Sequence, residues 1–133
     1  METLLNYSDR FYQRQFLTHK AINHKIVESA EKTIGEYFNN EDTNGLPTVQ
    51  YIAQSLNISP MYLSSLLKSL TGLTTQQHIH EKLIEKAKEK LSTTELSVSE
   101  IAFALGFEHS QSFSKLFKNK TKVSPLEFRS SFN

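Results

Sequence analysis

The chain contains no cysteine, which excludes disulfides and thiolate metal sites and suits a reducing compartment such as the cytoplasm. No apolar run approaches the ~20 residues that a membrane-spanning helix needs, so no membrane partner is expected. Met1-Glu2-Thr3 opens on an acid, and no small-residue cleavage site follows an apolar stretch, so no signal peptide is read there. Nowhere do Val, Ile and Thr alternate with polar residues over the length of a strand. A nucleophile elbow and a glycine-rich oxyanion loop are also missing, so the many serines and His109 support no hydrolase reading. His78-x-His80, with His19 and His24, hints at a metal. Histidines two apart on a helix point to different faces, however, and no cysteine or well-spaced acid completes a set. The sequence therefore predicts no catalytic residue, no metal site and no cofactor, and no enzyme.

A chain of 133 residues holds one domain, or two small ones that share a core. Its net charge of +1 hides an asymmetry. Residues 1–58 carry five Lys/Arg against seven Asp/Glu, and residues 59–133 carry ten against seven. Within 110–129, Lys115, Lys118, Lys120, Lys122 and Arg129 face Glu127 alone. A basic C-terminal half is a weak electrostatic footprint of a nucleic-acid binder, since many solvated helix faces are basic.

One pattern occurs twice. Ile52-Ala53-x-x-Leu56 returns as Ile101-Ala102-x-x-Leu105, 49 residues later. Leu63-Ser64-x-Leu66-Leu67-Lys68 returns 50 residues later as Phe113-Ser114-x-Leu116-Phe117-Lys118, and Thr71-Gly72-Leu73-Thr74 returns as Thr121-Lys122-Val123-Ser124. The change of offset places one extra residue in one intervening turn. One supersecondary unit built twice is implied: a short helix, a tight turn and a second helix.

Helix starts are well marked. Thr48 is placed to cap a helix through about Ser55, and Ser59-Pro60 and Ser124-Pro125 put a capping hydroxyl before a proline at the first helical position. Thr74-x-x-Gln77, Ser97-x-x-Glu100 and Ser124-x-x-Glu127 read as three capping boxes. Upstream, Ile22, Ile26, Ala30, Ile34 and Phe38 recur every four residues in a helix expected from about Ala21, with Val27 and Tyr37 widening the stripe. Leu4, Tyr7, Phe11 and Leu17 suggest a separate short helix before it. A helix from about Thr75 to Leu91 is expected to bury Ile79, Leu83, Ala87 and Leu91 and to carry the row Lys82, Lys86, Lys90 on its outer side. The reading is all-α, with about seven helices.

A helix-turn-helix braces its second helix with its first and lays the second in a DNA major groove. Small residues are needed where the two cross, here Ala53 and Ala102. A residue that tolerates a left-handed backbone is needed in the turn, here Asn57 and Gly106. Short or polar residues are needed where bases are reached. Met61, Ser64, Ser65 and Lys68 fit in the first unit, and Ser110, Gln111, Ser112, Lys115 and Lys118 in the second.

Ile101-Ala102-x-x-Leu105-Gly106-Phe107, then Phe113-Ser114-Lys115-x-Phe117-Lys118, then Val123-Ser124-Pro125-x-x-Phe128-Arg129, resembles the signature of the AraC/XylS family of bacterial transcription regulators. The likeness covers about residues 20–131. It implies two homeodomain-like helix-turn-helix subdomains (about 48–72 and 97–121) joined by a long linker helix (about 75–91). It implies recognition helices at 59–70 and 110–121, with Met61, Ser64 and Ser65 reading bases in the first and Ser110, Gln111, Ser112 and Lys115 in the second. Double-stranded promoter or operator DNA is the implied partner, in the bacterial cytoplasm at the nucleoid. RNA polymerase, and dimerisation through a preceding sensor domain, are further expectations. Residues 1–19 then read as the end of such a domain or a linker from it, rather than as a helix packed on the module.

The departures from the family pattern are Ser65, where arginine is usual, His78 in an aromatic slot, Leu83 for arginine, Lys122 for glycine and Phe128 for tyrosine. Ser65 removes a long donor able to pair bidentately with guanine. Near-neutral charge and a serine-rich first recognition helix support a rival reading, a helical adaptor or anti-regulator that keeps the fold without binding DNA specifically.

Overall fold

The computed structural model describes residues 2–40 and 45–132, and for residues 2–19 the backbone alone. Seven helices follow in order: α1 (Glu2–Asn39), α2 (Val49–Ser55), α3 (Pro60–Thr71), α4 (Thr75–Thr93), α5 (Val98–Leu105), α6 (Ser110–Thr121) and α7 (Pro125–Ser130). No strand occurs among the described residues. The two helices expected on either side of Ala21 are one. No proline interrupts 2–39 and the single glycine, Gly35, lies near its end, so nothing breaks the ladder. The side chains of Leu4, Tyr7, Phe11 and Leu17, and residues 41–44, lie outside the described residues.

Two apolar cores are stacked along α4. Val27, Ala30 and Ile34 of α1, Ile52 and Ala53 of α2, Leu63 and Leu67 of α3 and Ile79 of α4 form the first. Leu83, Ile84, Ala87 and Leu91 of α4, Ile101, Ala102 and Leu105 of α5, Phe107, and Phe113 and Phe117 of α6 form the second. Phe38 borders both. In the second core the rings of Phe107, Phe113, Phe117 and Phe128 follow one another at centroid spacings of 5.5, 5.9 and 5.6 Å, the range of favourable tilted contacts.

The stripe on α1 holds from Ile26 onward, but Ile22 is 49% exposed. The neighbouring helices end there. Nearby, Tyr62 OH donates to Asn23 Oδ1 at 3.4 Å, beside the start of α3. The Lys82-Lys86-Lys90 row is not an outer face either. All three are half-buried, and a Cβ at Gly35 would meet Lys82 Cε at 3.1 Å, so the lysine stem lies across α1 at its glycine.

The caps fix the helix starts. Thr48, Ser59, Thr74, Ser97 and Ser124 each accept a bond from the backbone three residues on. Thr74–Gln77 and Ser97–Glu100 close reciprocally as full capping boxes. Ser124 shows only the forward half, with no return bond from its own N–H to the Glu127 carboxylate, so the third box is a simple cap.

Besides Gly45 (φ 75), four left-handed residues set the bends after the helices: Asn57 (φ 58), Gly72 (φ 80), Gly106 (φ 107) and Lys122 (φ 71). Gly106 has a second reason to be glycine. A Cβ there would run into the Gly45 carbonyl and reach 3.0 Å from Leu46 N, whereas one at Gly72 meets nothing within 4 Å. Tyr37 OH donates to the same Gly45 oxygen at 2.8 Å. The turn of the second unit is thereby seated on the segment that leads into the first.

Gly72→Ala is expected to cost about 1–2 kcal/mol, the left-handed backbone term alone. Gly106→Ala is expected to cost more than about 3 kcal/mol, because the Gly45 backbone must move as well. Denaturant midpoints measure both. Equal losses would mean that the turn does not rest on Gly45.

Candidate nucleic-acid interface

The second helix of each unit is anchored by its inner face. On α3, Leu63, Leu66 and Leu67 are buried, and on α6 Phe113 and Phe117 are fully buried. Apolar residues at this spacing leave a fixed outward stripe. On α3 it is Met61 (81% exposed), Ser65, Lys68 and Ser69. On α6 it is Gln111, Lys115, Lys118 and Asn119. The 50-residue register pairs them: Met61 with Gln111, Ser65 with Lys115, Lys68 with Lys118, and Ser69 with Asn119.

Both helices end alike. Gly72 N donates to Lys68 O at 3.0 Å, and Lys122 N to Lys118 O at 2.8 Å. Thr71 Oγ1 donates to Leu67 O at 2.7 Å, and Thr121 Oγ1 to Phe117 O at 2.8 Å. The side chains then diverge. Lys68 Nζ donates back to Gly72 O at 3.0 Å, so its charge closes its own helix. Among the described residues, Lys115, Lys118, Lys120 and Lys122 take part in no ion pair. On α4, by contrast, Lys82 meets Glu85 at 3.5 Å and Lys86 meets Glu89 at 3.8 Å. Residues 115–122 hold four lysines and no Asp or Glu, the densest positive stretch of the sequence. Of α2 to α7, α6 is also the helix whose N-cap side chain, His109, accepts no bond from its first turn, which leaves N–H groups pointing outward.

A family profile described as a helix-turn-helix domain matches residues 52–131, both units and α4. The chain belongs to the AraC-type helix-turn-helix family. The C-terminal domain of AraT, a response regulator from Geobacillus stearothermophilus, is 35% identical, with a TM-score of 0.70 over 80% of this chain and 84% of that one. The HTH-type transcriptional regulator YijO of Escherichia coli K12 is 32% identical over 102 residues, 77% of this chain and 36% of YijO. The DNA-binding domain of AdpA, solved in complex with a target DNA, shares the fold: 21% identity, TM-score 0.65, 83% of this chain and 91% of that one. The chain spans about a third of the length of the curated relatives it matches.

Within this AraC-type frame the residues singled out from the sequence divide. Met61, Ser65, Lys68, Gln111, Ser112, Lys115 and Lys118 are exposed. Ser110 is half-buried at the first turn of α6. Ser64 is half-buried, with its hydroxyl 3.3 Å from Thr75 Oγ1, which is itself 1% exposed. Its counterpart one repeat later, Ser114, is half-buried too. The fifty-residue register carried that information, because the same serine sits between the same two core residues in each copy. Sequence reasoning passed over the exposed Ser69 and Asn119, which the register also marks. It counted Arg129 among the basic residues and in the family signature but gave it no structural role. Arg129 Nε donates to Leu91 O at 3.1 Å and Nη2 to Thr94 O at 3.4 Å, tying α7 to the end of α4.

The histidines of α4 go to different neighbours. His78 Nε2 lies 2.8 Å from Thr71 Oγ1, half-buried rather than fully in the core, and His80 Nε2 accepts from Gln76 Nε2 at 3.0 Å. No His/Asp/Glu cluster able to hold a metal occurs among the described residues. Burial, and then the nearby Lys120 charge, hold the His80 imidazole below its ordinary value of 6.5. The unfolded chain therefore binds this proton more readily than the folded one. The stability held by neutral His80 is complete above about pH 6.5 and is lost as pH falls through the depressed folded value. The melting temperature of the unaltered chain is expected to drop more between pH 7 and pH 5 than that of His80→Gln. Parallel curves would show that His80 stays uncoupled from folding.

Proposed function

We propose that this chain is the sequence-specific DNA-binding domain of a bacterial transcription regulator, acting without catalysis on nucleoid DNA. The observation that carries the reading is the pair of outward stripes on α3 and α6, related by one register and free of core duties. In this reading α3 and α6 enter successive major-groove segments on one face of the duplex, about 34 Å apart, with α4 setting their separation. Lysines and outward N–H groups bind phosphates, and Gln111 and Lys115 read base edges: glutamine suits adenine and lysine suits guanine. Contact with RNA polymerase, and dimerisation through a preceding sensor domain, belong to the same proposal. A second reading, a protein-interaction module with no specific DNA site, has one observation in its favour. Ser64 bonds Thr75 and Lys68 bonds Gly72, so α3 offers few free donors.

A selected duplex and a random one, titrated across salt concentrations, separate the two. Tighter binding to the selected duplex with a steep salt slope is expected. A flat slope and equal affinities favour the interaction module. Gln111→Ala is expected to cost about 1–3 kcal/mol on the selected duplex and little on the random one. Equal losses on both would show that Gln111 reads no base.

The two units are not equivalent. The first presents Met61, Ser65 and an internally bonded Lys68, and the second presents Gln111, Lys115 and a free Lys118. Scrambling the half-site read by α6 is therefore expected to weaken binding more than scrambling the half-site read by α3. The opposite order in a base-by-base substitution series would overturn this assignment of the half-sites.

A further inference from the structure

Lys122 is a long, exposed side chain held at φ 71, in the region that favours glycine. Its counterpart one repeat earlier is Gly72, at φ 80, and both close their helix by the same backbone bond to the residue four before. The fold thus accepts glycine at this position and gains nothing from a Cβ. The side chain makes no compensating contact: among the described residues Lys122 has neither an ion pair nor a side-chain hydrogen bond. Its neighbours in sequence on the helix side are Lys118 and Lys120, and no acid stands between residues 115 and 122 to balance it. The positive end it presents to the carboxyl end of α6 gives a small favourable term, one that Lys118 and Lys120 in the last turn already supply. Backbone strain kept without local compensation is the mark of a residue held for something outside the fold.

We infer that Lys122 is a phosphate-binding residue of the DNA interface, extending the outward row Gln111, Lys115 and Lys118 by one further turn. The spacing of four and three residues keeps Gln111, Lys115 and Lys118 on one side of α6, and Lys122 follows at its cap, four residues beyond Lys118. A flexible ammonium at the far end of a groove helix suits a backbone phosphate, which carries no sequence information, better than a base edge. The inference rests on the DNA-binding reading above. It makes a separate claim: at this position stability and binding oppose each other.

The test uses the full chain and three forms: unaltered, Lys122→Gly and Lys122→Asn. Asparagine removes the charge but tolerates the left-handed backbone less freely than glycine. Lys122→Gly is expected to raise the melting temperature, by on the order of 5 °C. Both variants are expected to bind the selected and the random duplex more weakly by the same factor. The slope of log affinity against log salt is expected to fall by about 0.9 in each, the loss of one phosphate contact. Binding by the unaltered chain with an unchanged slope in both variants overturns the Lys122 assignment and leaves the DNA reading standing. A slope that changes only in Lys122→Gly, which would reflect backbone and not charge, also overturns it. Absence of any salt-dependent binding by the unaltered chain removes the DNA reading and the Lys122 assignment together.

Discussion

Helix α4 belongs to two cores at once, and the arrangement of everything else follows from that. Ile79 closes the first core, and Leu83, Ala87 and Leu91 line the second. At about 1.5 Å per residue, Ile79 and Leu91 are roughly 18 Å apart along a helix that no glycine or proline interrupts. The two units therefore cannot slide or rotate independently without emptying one of the cores. A second tie runs outside α4, where Tyr37 and the Gly106 turn meet at Gly45. Within the second unit, Arg129 holds α7 against the last carbonyls of α4. A surface made of two separate helices is in this way carried on one rigid frame, as the proposed recognition of two groove segments would require.

Charge is distributed with equal economy. Lys32 on α1 and Lys82 and Lys86 on α4 pair with glutamates three or four residues away, at surface positions where an ion pair contributes little stability. Their effect is mainly to cancel the local field. Around α6 no such cancellation occurs, so a chain with a net charge of only +1 still carries a concentrated positive region.

Much of this was legible in the sequence, for reasons that are local. Capping residues, Ser-Pro starts and left-handed turn residues act within four positions, and both cores follow from apolar spacing. What was hidden depended on neighbours distant in sequence. The Lys82 row reads as a solvated face until Gly35 is seen to make room for it on α1. Ile22 continues a perfect four-residue stripe but lies past the helices that would cover it. The Ser64 bond to Thr75 joins two helices across a turn. The long bonds of Arg129 depend on the return of the chain to the end of α4. The continuity of α1 was local in origin, yet easily missed, because a change in composition near residue 20 resembles a boundary where the backbone has none.

The two-copy register has a consequence for how a protein of this build diverges. Met61, Ser65, Lys68 and Ser69 on one helix, and Gln111, Lys115, Lys118 and Asn119 on the other, touch neither core. The residues that place them, Leu63, Leu67, Phe113 and Phe117, never reach the outside. Vocabulary and grammar are thus carried by different side chains. If these stripes read DNA as proposed, each unit can be rewritten alone, a few positions at a time, while the other continues to hold the old address. A duplicated reader on a single beam would then be a means of changing targets gradually, without passing through a form that recognises nothing.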